Sequence, residues 1–193
     1  MEFDYLLTVI LSSLSSASIL IIATLGLAII FGLMGVINLA HGEFIMFGAY
    51  ATLVLTRLGI NYPVAVLFAA ILTAVFGAIV ERVIIRHLYG RLFDTLLATW
   101  GLSLVLYQSA VLLFGTVTPG IGMPISFIQI GTYSISTYML FLILVAIVLV
   151  IATYWLLTKT GYGIMARAAI QDSETASAVG IESKKLNMFT FAL

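Results

Sequence analysis

Three polar side chains interrupt the most apolar part of this sequence. Asn38, His41 and Glu43 lie inside a nearly continuous apolar stretch that runs from Tyr5 to Leu55. They offer an amide, an imidazole and a carboxylate, groups that line solute pathways or support a broken helix inside a membrane. We therefore expect this segment to carry the function of the chain.

The composition excludes several other kinds of chemistry. The chain has no cysteine, which rules out disulfides, thiolate catalysis and cysteine metal sites. Its two histidines, His41 and His87, lack metal-ligand spacing, so no metal or other cofactor is expected. The net charge is zero, and no basic cluster is long enough for nucleic acid. Glu2 and Asp4 are acidic where a cleaved signal peptide needs positive charge.

The overall composition is that of an integral membrane protein. Hydrophobic residues fill 63% of 193 positions and charged residues only 8%, whereas an average soluble domain is about 25% charged. Because a helix needs about 20 mostly apolar residues to cross a bilayer, we predict an all-α, polytopic transmembrane helical bundle with a discontinuous helix near residues 35–44. The predicted spans are 5–34, 44–58, 62–85, 95–114 and 138–157, and residues 186–193 begin a sixth.

The positive residues predict the orientation of these spans. Arg82, Arg86 and Arg91 lie at or after the end of the third span and before the fourth, and four of the other five Lys and Arg residues follow the fifth. Positive residues mark the cytoplasmic side, and two spans separate the clusters, so both can face the cytoplasm. The N-terminus is then outside, and the uncharged connection 115–137, which contains Pro119 and Pro124, is an external loop.

Two spans carry small or polar residues at helical spacing. In the third span they form two rows, which predict close approach of neighbouring helices: Ala69, Thr73 and Gly77, and Ala70, Ala74 and Ala78. In the fourth span, Thr99 and Ser103 lie on one stripe beside Trp100. This stripe either forms hydrogen bonds between helices or lines a pathway.

The backbone around Asn38 can bend, because glycines flank it on both sides. If the helix breaks here, the N–H groups at the start of the next helix point into a cavity, where a carboxylate or carbonyl could bind. The alternative is a tight cytoplasmic turn, in which Asn38 is a cap and His41 and Glu43 are solvated. The residue types alone do not decide between the two.

The segment 159–186 is the most polar part of the chain, yet it keeps many apolar residues. This pattern predicts one or two short amphipathic helices, broken at Gly180. Within it, Glu174, Ala176 and Gly180 have the spacing E-x-A-x-x-x-G. The spacing resembles the loop by which permeases of ATP-binding-cassette importers dock on their ATPase, although a helix resting on lipid would look similar.

Taken together, these segments resemble the permeases of branched-chain amino acid ABC importers, a family that includes urea and short-amide permeases. The resemblance rests on residues 35–50, on Leu-Tyr-Gly-Arg at 88–91, on Leu-Ala-Thr-Trp-Gly at 97–101 and on the loop 161–180, which occur in the family's order. The two short blocks are more similar to the urea-type members.

The resemblance implies an inner-membrane, multi-pass permease subunit with no enzymatic activity of its own. Its implied partners are a second homologous permease, two cytoplasmic ATPases and an external solute-binding protein. The chain lacks a Walker A loop, so ATP would be hydrolysed by a separate subunit. The whole chain, 1–193, is then a single permease domain, and we expect it to be C-terminally truncated because family members continue for several more spans.

The resemblance also implies roles for individual residues. The translocation pathway is expected to include Asn38, His41, Gly42 and Glu43 from the family's intramembrane motif, and we add Thr99, Trp100 and Ser103 from the polar stripe. The loop 159–186 is the expected ATPase-coupling segment, through Arg167, Glu174, Ala176 and Gly180. Thr175 departs from the second alanine of the family's loop motif, and the later Ile-x-Leu-Pro is absent.

Two other function classes stay open. A passive channel for a small neutral solute would need the polar trio to line a continuous pore. An intramembrane hydrolase is disfavoured, because His41 and Glu43 would diverge by about 200° on an unbroken helix. The sequence does not distinguish urea from branched-chain amino acids, since it offers no charged partner that only one of them would need.

Overall fold

The computed structural model describes residues 2–117, 120, 127–130 and 133–192. Over these residues the α-helices are α1 Glu2–Met34, α2 His41–Arg57, α3 Tyr62–Val83, α4 Leu92–Phe114, α5 Thr137–Lys159, α6 Gly161–Gln171, α7 Ser173–Ala178 and α8 Ser183–Ala192. A 3₁₀ turn, Ile85–Leu88, leads from α3 towards α4. Strands β1 Phe127–Ile130 and β2 Tyr133–Ser136 form an antiparallel hairpin.

The predicted all-α, polytopic bundle is confirmed, and the five predicted spans coincide with α1 to α5. Within the described residues, α1, α3, α4 and α5 are long and apolar enough to cross a membrane. The second span corresponds to α2, which has 17 residues and carries Glu43 and Arg57 near its ends. The predicted discontinuity is also present, because α1 ends at Met34 and α2 begins at His41.

The β-hairpin was not expected from the sequence. It lies in the segment predicted to be an external loop, with Phe127 opposite Ser136 and Ile130 opposite Tyr133. The second strand alternates polar and apolar residues, as a strand with one covered face does, and Ile135 is its buried member. The two prolines of the predicted loop, Pro119 and Pro124, lie outside the described residues.

The chain divides into two compact units. The first consists of residues 1–26 and 122–164, and the second of residues 27–121 and 165–193. In the first unit, the Ser136 hydroxyl caps α5 by accepting a hydrogen bond from the Tyr138 N–H at 3.2 Å. Where α5 turns into α6, Gly163 lies against the Leu157 carbonyl so closely that a methyl group there would overlap it. All residues proposed above for the pathway or for coupling belong to the second unit.

In the second unit, one of the two predicted small-residue rows on α3 is the packing surface. Thr73 lies against Gly48 of α2, and Gly77 lies against the Phe191 backbone of α8, so that a Cβ at either glycine would be only 3.2 Å from its neighbour. Ala69 of the same row is buried, whereas Ala70 of the other row is exposed. The predicted close approach of helices is thus confirmed on the Ala69 row.

The apolar core of this unit surrounds the break between α1 and α2. Val36 and Ala40 from the break are buried together with Phe44, Val80 and Phe191. The Phe44 ring lies 5.8 Å from the Phe191 ring in an edge-on arrangement, a favourable geometry for aromatic pairs. The break is therefore packed against α3 and α8, which fixes its position.

Candidate functional site

The break begins at a glycine whose backbone conformation other residues rarely adopt. Gly35 has φ +62°, and its N–H donates to the Phe31 carbonyl at 3.0 Å, which closes the last turn of α1. The next three residues are not helical, and residues 39–40 form a turn before α2. The backbone groups of this segment must therefore find partners outside a helix.

Asn38 supplies one of these partners. Its side chain is only 3% exposed, and its Oδ1 accepts a hydrogen bond from the Ala40 N–H at 3.1 Å. Its own carbonyl accepts from the His41 N–H at 3.3 Å. Asn38 thus closes the turn as a cap would, but it does so buried in the protein rather than at a solvated surface.

Thr99 of α4 supplies the next partner from another helix. Its side chain is fully buried, and its Oγ1 accepts a hydrogen bond from the Leu39 N–H at 3.1 Å. The same hydroxyl lies 3.2 Å from the Ile37 carbonyl oxygen and 3.1 Å from that of Leu96, either of which can accept its proton. One hydroxyl of α4 therefore satisfies backbone groups that the break leaves without helical partners.

A second contact joins α4 to the first turn of α2. The Ser103 hydroxyl donates to Oε1 of Glu43 at 2.7 Å, and the Glu43 side chain is half-buried. Thr99 and Ser103 thus form hydrogen bonds between helices, as one interpretation of the polar stripe required. Trp100, which precedes Ser103 by three residues, is 54% exposed.

The two remaining residues of the motif are less enclosed. The His41 side chain is half-buried at the start of α2, and Gly42 is exposed. The structure thus brings six of the seven proposed pathway residues into one neighbourhood through direct contacts or adjacent positions: Asn38, His41, Gly42, Glu43, Thr99 and Ser103. The seventh, Trp100, is exposed.

Beside Glu43 lies a partly open cavity of about 380 Å³, lined by residues of α2, α3 and α4. Its lining is almost entirely apolar, and Glu43 is the charged residue of that lining. Other lining residues include Met46, Phe47, Tyr50, Leu106 and Phe114, and the Tyr50 and Phe114 rings stack at 4.1 Å. The site combines a carboxylate with an apolar pocket large enough for a small aliphatic group.

A buried ion pair at the end of α3 was missed by the sequence analysis. Glu81 is completely buried, and its carboxylate receives hydrogen bonds from Arg86 at 3.0 and 3.3 Å and from the Tyr89 hydroxyl at 2.6 Å. Burial and the bond to Glu81 raise the pKa of Tyr89, and the bond to Glu81 raises the pKa of Arg86. A carboxylate inside an apolar span is itself a signal that a partner must exist.

The segment proposed for coupling contains short helices, as its pattern predicted, but there are two breaks rather than one: α6 and α7 are separated at Asp172, and the predicted break at Gly180 separates α7 from α8. The Asp172 carboxylate accepts the Thr175 N–H at 3.0 Å at the start of α7 and also bonds the Thr175 hydroxyl, so this departure from the family's alanine has a local role. After α7, Gly180 has φ +92° and its N–H donates to Ser177, while the Ile181 N–H donates to Ala176. These bonds form a Schellman motif that needs glycine.

The coupling residues have different exposures. Arg167 on α6 is exposed, and Ala176 on α7 is buried. Gly180 is exposed but is used by the turn, and the side chain of Glu174 lies outside the described part of the structure. An exposed apolar side chain lies just after the end of α7, where Val179 is 74% exposed.

Known proteins are similar to this chain over nearly its whole length, including all the residues described above. A family model described as "Branched-chain amino acid transport system / permease component" matches residues 9–193. The chain is 28% identical to the high-affinity branched-chain amino acid transport system permease protein BraD of Pseudomonas aeruginosa, and the match covers 100% of this chain and 68% of that protein. It is 25% identical, with the same coverage, to the permease protein LivH of Salmonella typhimurium. No solved structure matches the chain significantly.

Proposed function

The chain belongs to the family of branched-chain amino acid transport permease components, and from this premise we propose that it forms part of the pathway of an ATP-driven importer for branched-chain amino acids. Membership identifies it as a multi-pass membrane permease of the ABC transporter class rather than an enzyme. The substrate, the partners and the orientation are the parts that are proposed.

The observation that carries the substrate proposal is the position of Glu43 in the wall of an apolar cavity. A branched-chain amino acid has an ammonium group, which a carboxylate attracts, and an aliphatic side chain, which gains free energy when it leaves water. Urea has neither feature. The cavity of about 380 Å³ therefore favours the amino acid over urea, although two short sequence blocks resemble urea-type permeases.

The break supplies the geometry for this role. Asn38 and Thr99 hold the non-helical backbone in place, and Ser103 orients the Glu43 carboxylate from the neighbouring helix. Irregular backbone at membrane depth is tolerated where it is buried in protein or lines a cavity. These contacts support a pathway role for the motif over a solvated turn.

The contacts at the end of α3 support a cytoplasmic position for both positive clusters. Arg86, from the connection between α3 and α4, lies 3.8 Å from the Met188 sulfur of α8. Arg86 of the first cluster is thus close to α8, the helix that carries Lys184 and Lys185 of the second. Two spans separate the clusters along the chain, and positive residues mark the cytoplasmic side. We therefore keep the proposal of an external N-terminus.

The proposed partners are a second homologous permease, two cytoplasmic ATPases and an external solute-binding protein. The exposed end of α7 around Val179 is the surface that we assign to the ATPase. Apolar residues of α4 that do not line the cavity, such as Val105 and Leu112, are exposed in this chain and would be covered by lipid or by the second permease.

Uptake by the assembled importer in proteoliposomes tests the proposal. Labelled leucine should enter only when ATP is supplied on the ATPase side, and excess urea should not compete with it. Leucine entry without ATP would indicate a passive channel instead. ATP-dependent entry of urea without leucine would keep the importer but overturn the substrate proposed from Glu43 and its cavity.

A further inference from the structure

The buried ion pair at the end of α3 connects three segments of the second unit. Glu81 Oε1 accepts from both Arg86 Nε and the Tyr89 hydroxyl, and Glu81 Oε2 accepts from Arg86 Nη2. Arg86 lies on the 3₁₀ turn and Tyr89 follows it, so the carboxylate of α3 fixes the connection that leads to α4. Every oxygen of this carboxylate has a directional partner.

The same cluster reaches α8. Arg86 Nη2 is 3.8 Å from Met188 Sδ, and the Asn187 side chain is close enough to the Tyr89 hydroxyl to oppose part of the rise in its pKa. We call the set Glu81, Arg86, Tyr89, Asn187 and Met188 the α3–α8 joint. One helical turn further along α8, Phe191 packs its backbone on Gly77 and its ring on Phe44. The joint thus continues into the core that holds the broken helix.

The joint also lies a short distance along the chain from the proposed ATPase surface. α7 ends at Ala178, the turn at Gly180 is held by the Schellman hydrogen bonds, and α8 begins at Ser183. A displacement of α7 must therefore act on α8 through about four residues of tightly bonded backbone. Because α8 contacts α3 at the joint and at Gly77, a displacement of α8 acts on α3 at these two places.

Stability alone does not explain the chemistry of the joint. Burying an ion pair costs desolvation free energy, and apolar residues of similar volume often stabilise a protein as well or better. The hydrogen bonds that Arg86 and Tyr89 donate to the Glu81 carboxylate depend strongly on distance and angle. They therefore fix the relative positions of the groups that they join. These bonds hold the connection firmly to α3, so that a displacement of α8 that reaches Arg86 through Met188 is passed on to α3.

We propose that Glu81, Arg86 and Tyr89 are positioning residues that couple movement of the ATPase-facing segment, α7 and α8, to α3 and the broken helix. The inference rests on the proposed importer function. Its specific consequence is that weakening the joint separates ATP hydrolysis from transport while the subunits stay assembled.

The test measures ATP consumed per leucine imported in proteoliposomes that contain the complete importer. Two variants weaken the joint. Tyr89→Phe leaves the ion pair and the packing of the ring in place, and the double variant Glu81→Gln/Arg86→Gln shortens the side chain at position 86 but leaves no buried charge unpaired. We expect the ratio to rise roughly fivefold or more in both, since couplings between sites of this kind are worth about 5- to 150-fold. A variant that is merely less stable loses hydrolysis and transport together and keeps the wild-type ratio.

A matched control is available in the same connection. Arg91 and Asp94 form an exposed ion pair at 3.7 Å outside the joint, so Arg91→Gln/Asp94→Asn should keep the wild-type ratio. A wild-type ratio in both joint variants would overturn the inference, as would failure of both to assemble, which would indicate a purely structural role. If the wild-type complex itself shows no ATP-dependent leucine uptake, the proposed function fails first and the inference with it.

Discussion

Ser103 donates a 2.7 Å hydrogen bond to Glu43 and so ties the middle of α4 to the first turn of α2. The bond holds a carboxylate in the wall of an apolar cavity, where a flexible glutamate would otherwise sample several rotamers. Hydrogen bonds to a charged group are worth about 1.5–3 kcal/mol, more than most neutral ones. The contact therefore preorganises the Glu43 carboxylate in the absence of a bound solute.

Removing that charge tests the role of Glu43. Glu43→Gln keeps the size and can still bond Ser103, but it cannot attract an ammonium group. We expect leucine uptake at low concentration to fall by about 10- to 100-fold, the loss of one charge-assisted contact. Asp94→Asn is the control, because Asp94 is exposed, pairs with Arg91 three residues away and does not line the cavity. Equal uptake by the two variants would show that Glu43 does not contact the solute.

Support of the break by Thr99 predicts an effect on stability. Thr99→Val has nearly the same shape but leaves the Leu39 N–H without its acceptor. We expect a loss of about 1–3 kcal/mol in the free energy of unfolding, measured by denaturation in detergent. Thr24→Val removes an exposed hydroxyl that bonds only its own helix, and it should change the stability little. A similar small change at Thr99 would mean that the break has other support.

The ATPase surface is best probed at Val179, because Ala176 is buried and Gly180 is required by the turn. Val179→Arg should reduce co-purification of the ATPase with the permease, since a docked apolar residue does not tolerate an unpaired charge. Val83→Arg, an exposed position at the end of α3, should not reduce it. Wild-type recovery with both variants would fit a helix lying on lipid, where an added arginine strengthens attraction to anionic headgroups.

The orientation can be tested with single cysteines, because the chain has none of its own. Arg82 and Lys184 are exposed, one in each positive cluster, and they avoid Arg86, whose replacement would disturb the joint. Cysteines at both positions should resist an impermeant maleimide added to intact cells and should react in inside-out vesicles. Labelling of either position from outside would overturn the proposed topology.

The raised pKa of Tyr89 predicts a pH effect above its ordinary value of about 10. Below that pH, folded and unfolded chains both keep the phenolic proton, so Tyr89 adds no pH dependence. Above it, the unfolded chain releases the proton while the folded one retains it, and stability falls by up to about 1.4 kcal/mol per pH unit. Unfolding measured near pH 9 and near pH 11 should show a smaller alkaline loss for Tyr89→Phe than for the wild type. An identical loss in both would contradict the assignment.

The spans could be predicted from the sequence because hydropathy and helix length act on the scale of a whole segment. The break was equally visible, since a glycine at position 35 followed by Asn38 is costly in a continuous helix. The exposure of Trp100 could not be predicted in this way. Trp100 is rotated by about 100° from Thr99 but by only about 60° from Ser103, so helix geometry alone leaves it beside the stripe.

Two features could not be predicted from helical spacing: the ion pair of Glu81 and the β-hairpin. Glu81 is paired with Arg86 and Tyr89, five and eight residues later, across the end of α3 and a 3₁₀ turn. Pairs at three or four residues are read easily from a helix, but these positions come together only through the path of the connection. The β-hairpin was missed for a similar reason, because four-residue strands such as Tyr133–Ser136 are too short to give a clear period.

The short distance in sequence between Glu81 and Arg86 also bears on how the chain is made. α8 is synthesised about a hundred residues after α3, so α3 leaves the ribosome before Met188 and Asn187 exist. An acidic residue in the middle of an inserting helix costs about 2.5–3.5 kcal/mol, and less near its end. Arg86 follows within five residues and can neutralise Glu81 at once. α3 can therefore enter the bilayer during synthesis with the charge of Glu81 already compensated by Arg86. Its packing is completed later, when α8 has been synthesised.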